Sequence, residues 1–198
     1  MRLYRPATVL VGILFVLLGG LTRLAEPDHV YDNESNRTVE HGTIGVPLHY
    51  GQSTVKVDRL KFARAYLSSE SDEKAVETSG IYAVVEYDTV RGTEEVPNTQ
   101  LQLATDAGTA YAPISDTYGS SLDFAAPGFG VTGAVVFEVN PADLAGLTLK
   151  VRSSPLFTVL TQDLAVDLAV PDEEIAQRLV DQAAPEYLIP HPVTRVAS

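Results

Sequence analysis

Residues 42–170 run as short β-branched and aromatic segments divided by Gly, Pro, Asn and Asp, with no helical pattern between them. Parallel βαβ units need a crossover helix after each strand, so this texture predicts an all-β chain folded as an antiparallel sandwich. Residues 53–57 alternate Val55 and Val57 with Ser53, Thr54 and Lys56, and residues 60–66 set Leu60, Phe62 and Tyr66 between Lys61 and Arg64. Residues 81–87 are almost continuously apolar, which marks a central strand buried on both faces.

Residues 101–105 and 109–111 flank Asp106-Ala107-Gly108, whose Asp and Gly tolerate the positive φ of a tight turn, so a hairpin is expected. Residues 131–139 and 147–151 read as a second strand pair, split by Asn140, Pro141, Asp143 and Gly146, and residues 164–170 as a last strand. One helix follows. Pro171, Asp172, Glu173 and Glu174 suit its first turn, where free amides and the helix dipole favour them. Ile175, Leu179, Val180 and Ala183 form its apolar stripe, and Pro185 ends it. Residues 187–193 should then be extended, because each proline disfavours helix before it; the strip lies on the domain's own surface or on a partner.

The hairpin LQLATDAGTAYAP and the segment GAVVFEVNPADLAGLTLKV resemble the immunoglobulin-like (telokin-like) extracytoplasmic domains of Gram-positive bacteria, a group that includes a secreted mycobacterial antigen and a domain of unknown function. Asp106, Gly108, Tyr111, Phe137, Val139, Pro141, Leu147 and Leu149 carry the resemblance, with the strand at 82–87, over residues 42–153. It implies a small sandwich outside the membrane, with no established enzymatic activity and so no catalytic residue. Residues 154–198 extend beyond it.

Residues 6–22 carry no charge and hold Val9, Leu10, Val11, Ile13, Leu14, Phe15, Val16, Leu17, Leu18 and Leu21. As a helix they would span roughly 25 Å, which suits a short membrane anchor or the apolar region of a signal peptide. Arg23 stands where a cleavage site wants a small residue ahead of Ala25, which favours an uncleaved anchor. Arg2 and Arg5 before the run, and Glu26, Asp28, Asp32 and Glu34 after it, put the N-terminus in the cytoplasm by the positive-inside bias. The expected organisation is a cytoplasmic tip and anchor at 1–25, a flexible acidic stalk at 26–41, the sandwich at 42–170, and a short helix with an extended tail at 171–198.

Charge follows the same division. Of 14 Lys and Arg and 26 Asp and Glu, the first 25 residues hold three arginines and no acid, so the remainder carries 26 acids against 11 bases, a net charge of −15. Such a surface repels phosphate backbones, which excludes nucleic-acid binding. The absence of cysteine excludes disulfides, thiolate zinc sites and cysteine nucleophiles.

No catalytic set is visible in the sequence. His29, His41, His49 and His191 form no metal-ligand pair, and Gly128-Phe129-Gly130 lacks the Lys-Ser/Thr of a phosphate loop. The expectation is no enzyme, no cofactor and no metal. The competing reading is a metal-dependent binder or envelope enzyme using Asp106, Asp116, Asp123 or the acidic clusters at 70–73 and 94–95. The segment 113–133 is long for a sandwich connection and sets Tyr118, Phe124 and Phe129 among Gly, Ser and Asp. It is read either as a partner-binding loop or as a packed loop whose aromatics plug one end of the sandwich. The expectation overall is a non-catalytic interaction or scaffolding module, displayed from the membrane and meeting an envelope protein.

Overall fold

The computed structural model describes residues 37–96, 98–115, 121–153 and 162–197. The anchor residues at 9–21 and most of the stalk lie outside the described residues. Among the described residues no helix is long and apolar enough to cross a membrane.

Two sheets form a sandwich from residue 38 onward. Sheet I takes β1 (Thr38–Thr43), β9 (Gln162–Asp167), β8 (Thr148–Ser153), β5 (Thr99–Ala104) and β6 (Ala110–Tyr111), in that order. Sheet II runs β10 (Tyr187–Leu188), β3 (Ser53–Leu67), β4 (Val76–Val90), β7 (Phe129–Val139) and β11 (Val193–Val196), with β2 (Leu48–Tyr50) also on β3. The all-β sandwich is therefore observed. The 81–87 run sits at its centre, in the middle strand of sheet II.

Alternation along β4 shows why that run is apolar throughout. Ile81, Ala83, Val85 and Tyr87 face sheet I and join Phe137, Val139, Leu103, Leu149, Val151, Leu164 and Val166 in the main core. Tyr82 and Val84 face the other way, into a smaller cluster with Tyr66, Ala134, Val136 and Ile189. Each fully buried Val, Leu, Ile or Phe contributes about 1.5–3 kcal/mol, so the main core alone can hold a domain without disulfides.

The hairpin forms as expected, with Gly108 at φ 84° and Leu103 paired with Tyr111. The second pair does not. Strands β7 and β8 are not hydrogen-bonded to each other: β7 pairs with β4 and β11 in sheet II, and β8 with β5 and β9 in sheet I. Their connection turns at Asn140, where the Asp143 amide donates to the Asn140 carbonyl at 3.0 Å, and crosses between sheets before Gly146 at φ 69°. Local alternation fixes which face of a strand is buried, and two strands whose apolar faces point at each other across a sandwich alternate as paired neighbours do.

Two edges are parallel, although the expectation was antiparallel throughout. Strand β1 runs along β9, Thr38 beside Gln162, and β10 runs along β3, Tyr187 beside Tyr66. Residues 38–41 therefore belong to an edge strand and not to the stalk. They read as stalk because β1 has no buried residue, its six positions being exposed or intermediate. Its backbone pairing with β9, and not a core contribution, places it. Glu40 also ties the sheets together at this edge, accepting from the His49 amide of β2 at 3.1 Å and from Gln162 Nε2 of β9 at 2.8 Å.

The helix α1 (Glu173–Asp181) starts at Asp172, whose side chain accepts from the Ile175 amide at 2.8 Å. Ala176 and Val180 enter the main core, with Leu179 and Ala183 packed against it. The chain then reaches β3, where Ala184 exchanges hydrogen bonds with Phe62 and Arg64 at 2.9 Å each. From β10 on one edge of sheet II to β11 on the other, the tail crosses the outer face as a strap, with Ile189 buried beneath it. The apolar strip of the tail thus covers its own domain.

Candidate functional site

Of the segment at 113–133, Tyr118 and Asp116 lie outside the described residues. Its first part leaves sheet I for sheet II, where Pro113 bridges Phe137 and the Ile114 amide donates to the Val136 carbonyl at 2.8 Å. Leu122 is buried and its amide donates to Thr99 Oγ1 at 2.8 Å. Asp123 is fastened at both backbone groups, its amide donating to the Tyr87 hydroxyl at 3.2 Å and its carbonyl accepting from Thr89 Oγ1 at 2.6 Å. Burial pushes the Tyr87 hydroxyl up to about 12, and burial likewise raises the Asp123 carboxyl, with Tyr87 offsetting part of the rise.

Phe124 packs against the main core and stacks on Tyr50, ring centroids 6.4 Å apart and planes 19° from parallel. Phe124 therefore sits as the packed-loop reading expects, as a plug at the sandwich end. Phe129 is the first residue of β7, with Val196 as its ladder partner; it is 39 % exposed and Val196 72 %. Of the three aromatics it alone among the described residues faces solvent.

The carboxylates do not gather. Among the described residues no group of three His, Cys, Asp or Glu is placed to hold a metal ion. Asp106 lies against Gly146, where a Cβ would run into its carboxylate. Asp143 accepts from the Tyr111 hydroxyl at 3.2 Å, and hydrogen bonding from Thr109 first, with Tyr111, outweighs burial and holds its carboxyl below the usual range. Both serve the junction between the hairpin and the β7–β8 crossing.

Charged side chains collect on the outer face of sheet II, where Glu86 is the hub. Its Oε1 accepts from Lys61 Nζ and the Tyr187 hydroxyl, both at 2.7 Å, and its Oε2 from Arg59 Nε at 2.8 Å. Lys61 Nζ also lies 5.2 Å from the centre of the Tyr187 ring. Arg195 Nη2 reaches Asp88 Oδ2 at 2.5 Å, so the strap is fastened near one end by the Tyr187 hydrogen bond to Glu86 and near the other by an ion pair. Burial alone would raise the Glu86 carboxyl; the hydrogen bonds from Lys61 and Tyr187 and the charges of Lys61 and Arg59 outweigh it and hold the carboxyl below its ordinary value.

A carboxyl lowered on folding stabilises the fold above its unfolded pKa, about 4.3, and that contribution is lost as pH falls through the lowered value. Glu86→Gln is therefore expected to cost about 1 kcal/mol at neutral pH. The gap from the parent chain should close below roughly pH 4. Urea midpoints at neutral and acid pH measure this, and an equal gap at both would mean that the charge is not the fastening element.

A groove of about 590 Å³ opens on the outer face of sheet I, lined by Thr99, Gln100, Leu101, Gln102, Pro113, Ser115, Lys150 and Arg152. Its polar wall is a cross-strand grid: Gln100 of β5 sits opposite Arg152 of β8, and Gln102 opposite Lys150. The side chains of Leu101, Leu103, Leu149 and Val151 go into the core, so the residues between them must face out. Arg152 Nε is 3.7 Å from Asp163 Oδ2, a carboxylate only 7 % exposed. Among the described residues Lys150 makes no ion pair. None of these groove residues stands out in the sequence; the available signal is the pair of polar doublets at alternate positions on strands that pair, legible only once the partner of β5 is known.

Comparison with protein-family models and with curated proteins finds no match. Among solved structures the chain is similar to an uncharacterized β-sandwich protein from Clostridium difficile 630, at 13 % identity and a TM-score of 0.37, over 67 % of this chain and 95 % of that one.

Proposed function

We propose that the chain is a non-catalytic binding module of the cell envelope, an immunoglobulin-like sandwich of the Gram-positive, actinobacterial kind, held outside the membrane by its N-terminal anchor. The observation that carries the reading is the open groove on sheet I. It is built on the paired strands β5 and β8, and its two glutamine amides and Lys150 suit a ligand that hydrogen-bonds and carries charge. The hairpin and crossing residues of the Gram-positive resemblance support the family. The charge-free run at 6–22 with Arg2 and Arg5 before it supports the anchor and its direction. An envelope ligand or protein partner is the expected occupant.

The absence of native cysteine gives a direct test. In intact cells producing the full chain, Lys74→Cys in the exposed β3–β4 loop should react with a membrane-impermeant maleimide, whereas Arg2→Cys should react only after permeabilisation. Protection of Lys74→Cys, or labelling of Arg2→Cys in intact cells, would overturn the topology.

A further inference from the structure

We infer that the groove on sheet I takes an acidic sugar, a polyhydroxylated ring bearing a single carboxylate, with Lys150 as the residue that reads the charge. This rests on the binding-module reading and narrows its ligand. On antiparallel strands, side chains directly opposite stand about 5 Å apart and those two positions along a strand about 7 Å apart. Gln100, Gln102, Lys150 and Arg152 thus form a rectangle about as large as one sugar ring. A groove of about 590 Å³ accommodates one such ring with room for a second.

The chemistry of the four corners selects the ligand. A primary amide offers two donors and a carbonyl acceptor, which matches a hydroxyl that both gives and takes a hydrogen bond. Two amides on one strand, two positions apart, therefore suit two hydroxyls of the ring. Arg152 is turned to the nearly buried Asp163, while Lys150 makes no ion pair among the described residues, which leaves Lys150 to receive an anion. Pro113 supplies an apolar wall for the face of the ring. The wider field sets an upper limit on ligand charge. A chain of net charge −12 repels a polyanion, so one cation in a neutral frame favours one carboxylate on a hydroxyl-rich body.

The test uses the full chain in detergent micelles, with glucuronate, glucose and acetate as probes and backbone amide chemical shifts as the readout. Glucuronate should give saturable shifts confined to β5, β8 and residues 113–115. Glucose and acetate should each bind at least tenfold more weakly, because each lacks half of the recognised chemistry. Lys150→Gln should weaken glucuronate about tenfold and leave the weak glucose response unchanged, and Gln102→Ala should weaken both sugars. Glucose binding as well as glucuronate would show that charge is not read, and acetate binding as well would reduce the site to an adventitious anion on a lysine. No saturable shift, or shifts elsewhere, would also overturn the inference. The labelling of Lys74→Cys is indifferent to all of these outcomes, so a groove that ignores glucuronate leaves the display of the sandwich outside the membrane standing.

Discussion

Ile189→Asp is expected to lift the C-terminal strap from sheet II and to lower the melting temperature by about 10 °C. Ile189 is 2 % exposed and is the apolar residue that the strap inserts among Tyr66, Tyr82, Val84, Ala134 and Val136. Truncating such a residue costs about 2–5 kcal/mol, and a carboxylate in its place must be desolvated or must leave the cluster. Leaving is possible, because the strap is held by little: two residues of β10, four of β11, the Tyr187 hydrogen bond to Glu86 and the Arg195–Asp88 ion pair. Amide hydrogen exchange should therefore quicken at residues 187–196 and stay slow in β5 and β8. Val193→Asp is the control, since Val193 is 59 % exposed and its replacement should cost less than about 0.5 kcal/mol. An Ile189→Asp chain as stable as the control would mean that the cluster is complete without the strap.

The second large effect separates two aromatics that look alike in sequence. Phe124→Ala should destabilise the domain by about 2–3 kcal/mol, short of the 3–5 kcal/mol of a fully buried phenylalanine because Phe124 is only partly covered. The loss comes from the Tyr50 stacking partner and from the seal over the main core at that end. Phe129→Ala should lower the melting temperature by less than half as much, since Phe129 is 39 % exposed and its β7 backbone bonds to β11 do not depend on the side chain. Thermal melts of the two single variants decide the matter. Equal falls would place Phe129 in the core as well, whereas a neutral Phe124→Ala would return that residue to the solvent-facing surface.

What could be read without coordinates follows from what alternation encodes. The run at 81–87 announced a strand buried on both faces because both faces are in fact covered, one by sheet I and the other by the cluster beneath the strap. The Asp172 cap and acidic first turn located α1, and Asp106 with Gly108 located the hairpin, since each is a local device. The partner of a strand is not local. The segment at 131–151 reads as a strand pair although its two halves belong to different sheets. Strand β1 was invisible because it lends backbone and no buried side chain. Gln100, Gln102, Lys150 and Arg152 drew no notice for a related reason: any solvent-facing strand position can carry Gln, Lys or Arg, and only the ladder between β5 and β8 makes four of them neighbours.

The order in which the strands meet also governs when this domain can exist. Thr38 finds its ladder partner only at Gln162, Tyr66 finds Tyr187, and Val131 finds Thr194. A ribosome must finish nearly the whole chain before the first strand of the domain, or the outer edges of its longer sheet, can be closed. Contacts this distant in sequence slow folding, because the loop must be closed before the contact rewards it. A chain of this design cannot close its sheets until its synthesis is nearly complete, and a product cut short after residue 153 would be left with open β edges to pair with its neighbours.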